Sequence, residues 1–524
     1  MPLLGQNTAS WEYPMASEGV NLAKSIAELR PDEAMISQNM IWKNGMVKRG
    51  GQRVVIAAAV VSGQPVLGLH RFYSSNASQT VTGANGIIKY LNGAAWTNIK
   101  TGLDTTAQMF FTTWQDDLYF ANGVDASIKW SLSAGDTTLT AANAGTAGAI
   151  LQFIGYQDRI VSIEANGDVT WSDSFDETAW NNVAATGVQV DSKLYGAINH
   201  SAQDTTTGVQ SKILIAGANG MYLFAGTDLR TPSTTGNYVL QKVSDIACTA
   251  PRSMVWTPRG SMWLGADRQV YLLEFGSSTP VPAGDKIRAV RVGETGVESV
   301  TSTRMDEASA IYHDGYYKLS VGQGTVSNNQ TQWWLDLNRV AKDEENRLGP
   351  WYGPMLGQEI GPMAVMNGSG DSGQLIGGMA TSTGTVNFLH DPDDKADVSA
   401  SISNIYRTYY NVIGDPAVQK EIPKIETELL DVVGTVGFTL HDITGAANTS
   451  VSVGLSGTGI TFWNDLYWDE FFWTGNNPAR VATSISPAVL VRRLAIDITF
   501  SSSTESFEIY GIRALATEQS VAYI

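Results

Sequence analysis

The sequence predicts an all-β protein: a β-propeller of about seven blades, with a short N-terminal arm before it and a C-terminal β-sandwich after it. Three observations carry that reading. From about Val54 to His390 one theme recurs: an apolar or aromatic strand, a polar turn, a second strand with an aromatic, then a Gly-rich connection. The composition agrees, with 52 Gly, 15 Trp and 19 Tyr against 16% charged residues, the mix of turn formers and aromatics that strands favour. Beyond Asp391 the pattern changes to longer alternating runs.

A chain of 524 residues exceeds one small core. Three segments are expected: 1–51 as an arm, 52–390 as the propeller and 391–524 as the sandwich. In the arm, Gly19-Val20-Asn21-Leu22 is short and apolar. Leu29-Arg30-Pro31-Asp32-Glu33-Ala34-Met35 predicts a turn opening a brief helix, with Pro31 at the first helical position and the acidic pair at the positive end of the dipole. Asn44-Gly45 predicts a hairpin turn, and Val47-Lys48-Arg49-Gly50-Gly51 ends the segment.

The blades follow in order. Leu67–Tyr73, Ile87–Tyr90 and Trp96 supply the first. The second centres on Tyr119, with Asn122-Gly123 expected to turn toward Ile128-Lys129-Trp130. The third centres on Ile160, the fourth on Ile213, the fifth on Trp263, and the sixth on Tyr316 and Trp334. The seventh runs from Met363 through Ile376 to Leu389. A blade cannot bury both faces alone, so neighbours stack around an axis. Val54–Ile56 is expected to pair with the last blade and close the ring, removing free edges. In the third unit, Trp171-Ser172-Asp173 through Trp180 stands out and reads as a structural turn, with Trp180 covering the blade.

Asp391-Pro392-Asp393-Asp394-Lys395-Ala396-Asp397 marks the next boundary. Four carboxylates in seven residues have the chemistry of a Ca²⁺ loop, but the central glycine and distal Glu are missing; a solvated connector is expected. The sandwich is read from Ser401–Thr408, Gln419–Leu429, Val436–His441, Val491–Phe500 and Ser506–Leu515. Between Val436–His441 and Val491–Phe500 lies the densest aromatic stretch, with Phe462, Trp463, Tyr467, Trp468, Phe471, Phe472 and Trp473. A monomer rarely exposes so much apolar surface. These seven are the candidate subunit-interface residues. The competing readings are a strand–turn–strand buried in the sandwich and a sugar-stacking platform.

The chemistry of the chain argues against several classes. Its net charge of −17 opposes tight binding to nucleic acid. One cysteine, Cys248, allows no internal disulfide and reads as a small buried hydrophobe. The histidines His70, His200, His313, His390 and His441 sit in separate stretches without paired-ligand spacing. No nucleophile elbow or phosphate loop is present, so no catalytic, cofactor-binding or metal-binding residue is assigned. Carboxylates are plentiful, and a glycosidase needs only two at the right separation. No secretory signal and no membrane-spanning run is seen.

Two segments carry a likeness. Gly19-Val20-Asn21, then Leu29-Arg30-Pro31-Asp32-Glu33-Ala34, Asn39-Met40 and Gly45-Met46-Val47-Lys48-Arg49-Gly50-Gly51, resemble the opening of β-propeller tail proteins of short-tailed bacteriophages. This group is called tail nozzle, tail hub or tail tubular protein B. An Arg-containing alternating strand followed by Phe507-Glu508-Ile509-Tyr510-Gly511-Ile512 is similar to the close of the same proteins. The segment around Asp173–Trp180 also resembles one found in such propellers. The resemblance implies a structural, non-enzymatic virion protein without a cofactor. Six copies would form a ring below the portal and adaptor, contact tail fibres, and bound part of the channel through which DNA is ejected. Such a protein is assembled in the host cytoplasm and resides in the virion. The rival expectation is a receptor-binding or glycan-degrading propeller; a cellular propeller scaffold is a third.

Overall fold

A computed structural model of the chain describes residues 8–25, 28–75, 78–133, 135–138, 150–173, 175–180, 187–204, 208–210, 212–228, 237–293, 297–326, 328–366, 373–381, 383–398, 400–412, 420–430, 433–441, 447–456, 480–485, 489–491, 493–505 and 507–518. The chain divides into two compact units. One holds Arg53–Leu348 and Gln358–Asp391; the other holds Met1–Gln52, Gly349–Gly357 and Pro392–Ile524.

The first unit is the propeller. Blade one is the antiparallel sheet Gly68–Tyr73, Ser78–Ala84, Ile87–Asn92 and Ala95–Lys100. Blade two runs Phe110–Trp114 to Gly135–Thr138, blade three Ile150–Tyr156 to Asp176–Trp180, blade four Leu194–Asn199 to Asn237–Ser244, and blade five Val255–Thr257 to Val281–Pro282. Blade six contributes Ser309–His313, Tyr316–Val321 and Thr331–Asp336, and blade seven Ile360–Met366, Gln374–Met379 and Val386–Asp391. The first strand of each blade touches the first strand of the next, and Ile360–Met366 returns to Gly68–Tyr73. This circuit is the ring. The strand here is Gly51–Val54 rather than the expected Val54–Ile56; the contact with the last blade is made just beyond it, where Val55 N–H donates to Val386 O at 2.9 Å. Arg53 adds an ion pair to Asp391 at 3.2 Å and stacks 4.2 Å from the Phe388 ring.

Packing explains why the blades read as near-continuous apolar runs. Arg159–Glu164, Gly260–Leu264, Tyr316–Val321 and Thr331–Asp336 are buried at every position, because a wedge between two neighbours has no solvent face. The cores lie between blades. Phe72, Val81 and Ile88 of blade one meet Leu118, Phe120 and Trp130 of blade two. Leu69 and Ala84 meet Ile376, Val386 and Phe388 across the closing seam. Trp180 is buried with Trp114, Tyr119 and Phe153, and so covers blade three from beside blade two.

Tight turns set the register. Asn85-Gly86 and Asp314-Gly315 have positive φ at both positions (47° and 70°, 52° and 80°), the geometry of a two-residue hairpin loop matched to strand twist. In blade two the tight turn falls on Gln115-Asp116, at φ 49° and 64°, one strand earlier than Asn122-Gly123. The latter begins a longer connection in which Asn122 Oδ1 accepts from the N–H groups of Val124 (3.0 Å) and Asp125 (2.8 Å).

The second unit is the sandwich. One sheet contains Met40–Trp42, Met46–Lys48, Glu508–Glu518, Lys420–Leu430 and Arg480–Ile485, with Thr8–Tyr13 also on Glu508–Glu518. The other contains Ala396–Asp397, Ala400–Arg407, Arg493–Ser502, Val433–His441 and Ala447–Ser456, with Ile36–Gln38 on Ala400–Arg407. Its core includes Ile425, Leu429, Phe438, Ile496 and Ile498, all buried. The arm is therefore not a separate element: its strands are members of both sheets, and Tyr13 Oη donates to Leu494 O at 3.0 Å. The brief helix expected after Pro31 is a turn instead. Glu33 is buried and its carboxylate accepts from Asn21 Nδ2 (2.8 Å) and Arg30 N (3.1 Å). After the turn the backbone leaves the helical path, with Ala34 N–H donating to Gly19 O at 2.8 Å instead of to a carbonyl of its own turn.

Candidate functional site

The candidate interface residues Phe462, Trp463, Tyr467, Trp468, Phe471, Phe472 and Trp473 lie outside the described residues. Two polar arrangements stand out among the described residues: a clasp in the sandwich unit and contacts across the axis of the propeller.

The clasp is built on Lys48 and Arg49. Arg49 is buried and spends its guanidinium fully. Nε donates to Asn39 Oδ1 (2.9 Å), Nη1 to Asp397 Oδ1 (2.9 Å) and Gly50 O (3.0 Å), and Nη2 to Leu356 O (2.6 Å) and to Asp397 Oδ2. The pairing with Asp397 is a fork-to-fork contact that only arginine makes. Asn39 adopts φ 58° and feeds the same hub: Oδ1 also accepts from Leu356 N (2.7 Å), and Nδ2 donates to Ser403 O (2.7 Å). Lys48 Nζ sits in a cage of carbonyl oxygens, from Lys395 (2.7 Å), Glu505 (2.8 Å) and Ser502 (2.9 Å). Burial first, then Lys395 and Arg49, lower its pKa to about 8.

The glycines of the same segment are sterically required. A Cβ on Gly51 would stand 2.2 Å from Ala396 O, and one on Gly19 (φ 70°) 2.0 Å from Trp351 O. Asp397 thus corrects the expectation of a solvated connector, since it is buried against Arg49. The opening segment, residues 19–51, and the closing segment, residues 507–512, meet here. Met46 pairs with Ile509 and Val47 with Glu508, and Lys48 N–H donates to Phe507 O at 2.8 Å.

The propeller axis is occupied by side chains. Arg252 precedes the first strand of blade five and reaches blade one, where Nη2 donates to Leu67 O. Its guanidinium lies 5.8 Å from the Phe110 ring of blade two. Gln108 Nε2, ahead of blade two, donates to Asp306 O, ahead of blade six, at 2.7 Å. Burial lowers the Arg252 pKa to about 10, and the carboxylates of Glu307 and Asp306 partly offset it. These contacts join non-adjacent blades across the ring. Sequence reasoning missed Arg252 because nothing local marks it; it sits in a short 3-10 turn, Pro251–Ser253.

The histidines are distributed as linkers. His70 bonds Thr113 Oγ1 (2.9 Å), His200 bonds Ser261 Oγ (2.8 Å), His313 bonds Gly373 O (2.7 Å) and His390 bonds Gln332 Oε1 (3.1 Å). Each joins one blade to the next. Burial drives His70 and His200 to about 4 and lowers His313. His441 lies with Asp497 (2.9 Å) and Arg407 (3.3 Å) in the sandwich. Cys248 is fully buried, which pushes its thiol up to about 12. Among the described residues no group of three His, Cys, Asp or Glu is placed to hold a metal ion. No described helix is long and apolar enough to cross a membrane.

No protein-family model matches the chain, and no curated protein matches it in sequence. Among solved structures it is similar to BBS1N, crystallised in complex with ARL6DN, at 10% identity and TM-score 0.39, covering 66% of this chain and 97% of that one. It is similar also to the WD40 β-propeller domain of Doa1, at 13% identity and TM-score 0.38, covering 65% and 97%. At these levels the likeness concerns the fold alone.

Proposed function

We propose that the chain is a structural subunit of a phage tail nozzle or hub, a non-catalytic ring component bounding part of the channel for DNA ejection. One observation supports this reading above the rest. The opening and closing segments that resemble phage tail propeller proteins are not scattered over the molecule but bonded to each other, through Met46–Lys48 and Phe507–Ile509. The residues of the opening segment that look arbitrary in sequence (Asn21, Glu33, Asn39, Lys48, Arg49) are buried and each fills a defined structural role. In this reading the channel lies between copies rather than through a propeller, since Arg252, Gln108 and Asp306 already occupy the propeller axis. Repetition of a net charge of −17 around the ring gives a wall to which DNA does not adhere.

Electron microscopy of the purified chain tests the reading, together with detection of the chain in purified virions. A closed hollow ring and a virion-borne chain are expected. A monodisperse single copy that is absent from particles overturns it. Cleavage or saturable binding of host envelope polysaccharide by the isolated chain favours the receptor-binding or glycan-degrading alternative.

A further inference from the structure

We propose that Asn92-Gly93, in the outer hairpin of blade one, is a site of spontaneous modification, where the asparagine closes to a cyclic imide and reopens as aspartate or isoaspartate. Seven Asn-Gly pairs occur in the chain, and six lie among the described residues: Asn44-Gly45, Asn85-Gly86, Asn92-Gly93, Asn122-Gly123, Asn166-Gly167 and Asn219-Gly220. The reaction is an attack by the glycine backbone nitrogen on the asparagine side-chain amide. It needs a glycine N–H that is not committed elsewhere, an amide free to swing, and room for the glycine backbone to turn; without a Cβ, glycine resists that turn least. Five of the six pairs fail one of these conditions. Gly123 N–H donates to Ile150 O (2.8 Å) and Gly167 N–H to Glu164 O (3.2 Å). The side-chain amides are held as well: Asn122 Nδ2 donates to Asp125 Oδ2 (2.7 Å), Asn166 Nδ2 to Asp168 Oδ2 (2.8 Å) and Asn219 Nδ2 to Asp191 O (3.1 Å). Gly45 and Gly86 are buried, and a Cβ there would stand 3.0 Å from Ile509 O and 2.2 Å from Leu103 O.

Asn92-Gly93 meets all three. Both residues are exposed, and a Cβ on Gly93 would meet nothing within 4 Å. Asn92 pairs with Ala95 across a two-residue turn whose first central residue is Gly93, at φ 60°; such a loop leaves that N–H outside the strand ladder. Among the described residues neither the Gly93 N–H nor the Asn92 side-chain amide has a hydrogen-bond partner. In the reaction the Gly93 nitrogen bonds to Asn92 Cγ, the Cγ–Nδ2 bond breaks, and Nδ2 leaves as ammonia with the proton from Gly93. Solvent water then opens the ring. Addition at Cγ breaks the new bond and gives aspartate. Addition at the Asn92 main-chain carbonyl breaks the original peptide bond, and the chain continues through the side chain as isoaspartate. Both products exchange a neutral amide for a carboxylate. The change falls directly before Ala95–Lys100, the outer strand whose Trp96 indole N–H donates to Ala58 O at 3.0 Å.

The full chain, incubated at neutral pH below its melting temperature and in parallel in denaturant, is sampled over time and its Asn-Gly peptides are mapped by mass spectrometry. Each hydrogen bond that ring closure must break slows it by roughly fivefold. In the folded chain Asn92 should therefore convert at least about tenfold faster than Asn122 or Asn166. In denaturant, where those bonds are gone, the pairs should convert at similar rates. On anion exchange the aged native chain should split into a more strongly retained species, which aged Asn92→Gln should lack. That variant keeps the glycine turn and a neutral amide, so an unchanged melting temperature separates loss of the reaction from loss of the hairpin. Conversion at Asn92 no faster than at Asn122 or Asn166 in the folded chain overturns the proposal, as does the same ranking of sites in folded and unfolded chains.

Discussion

The propeller and the sandwich unit are assembled on opposite plans. In the propeller most neighbouring strands of a sheet follow one another in sequence, and the pairing Ala84↔Ile87 or His313↔Tyr316 closes over two residues. In the sandwich unit the sheets interleave the two ends of the chain: Thr8–Tyr13 lies beside Glu508–Glu518, and Ile36–Gln38 beside Ala400–Arg407. Local pairing forms early and is redundant, whereas pairing across hundreds of residues closes a long loop before any contact rewards it. The difference teaches where each unit is vulnerable. The propeller distributes its stability over many similar seams. The sandwich unit leans on a few buried polar clusters, foremost Arg49 with Asp397 and Asn39, and beside it Arg407 and His441 with Asp497.

Substitutions can break that comparison, beginning with the largest effect. Arg49→Met strands Asp397 as an uncompensated buried carboxylate, and about 3–5 kcal/mol of stability is expected to be lost from the sandwich unit while the propeller melts as before. Denaturant titration with a probe in each unit reads this. In the propeller, Phe388→Ala opens the closing seam and should cost about 3 kcal/mol. It should lower the propeller transition without abolishing it, because six other seams remain.

Acid sharpens the contrast next. His70 and His200 are held near 4 in the folded chain, below the usual 6.5. The unfolded chain takes the proton first, so their contribution is complete above pH 6.5 and is lost as pH falls toward 4, by about 2–3 kcal/mol each. Glu164 has the opposite sign. Burial, then Asp168, raises it to about 7, so its contribution is present below its usual 4.5 and is lost as pH rises through 7. Glu164→Gln removes this offset and should steepen the acid-induced drop in propeller melting temperature. The smallest effect belongs to Arg513→Ala. Arg513 pairs with Glu12 at 3.2 Å, but the Glu12 side chain is 77% exposed. Less than about 0.5 kcal/mol is expected; a loss as large as that of Arg49→Met would mean that the surface ion pair, and not the buried hub, fastens the arm.

The same contrast explains what was legible in the sequence. Blades could be read because their signals are local: aromatic strands bracket Asn85-Gly86 and Asp314-Gly315, whereas the apolar run Val54–Ile56 misplaced a strand that spans Gly51–Val54. Gln115-Asp116 escaped because neither residue is a glycine, although both adopt positive φ. The arm was misjudged for a deeper reason. Pro31-Asp32-Glu33 has a helix-start composition, but the Glu33 carboxylate is claimed by Asn21 and Arg30 in three dimensions. Asp397 looked like one more solvated carboxylate because its partner, Arg49, lies 348 residues away. No periodicity reports a pair at that separation, and Arg252, which bridges to Leu67 across the propeller, was hidden for the same reason.

Hydrogen exchange read by mass spectrometry on the native chain and on Arg49→Met tests most directly whether the two ends of the chain are locked together by one hub while the propeller sustains itself. Faster exchange is predicted in Thr8–Tyr13, Arg493–Ser502 and Glu508–Glu518 of the variant, with Gly260–Leu264 and Tyr316–Val321 unchanged. Equal loss of protection in both units, or full protection of Glu508–Glu518 without Arg49, would contradict it.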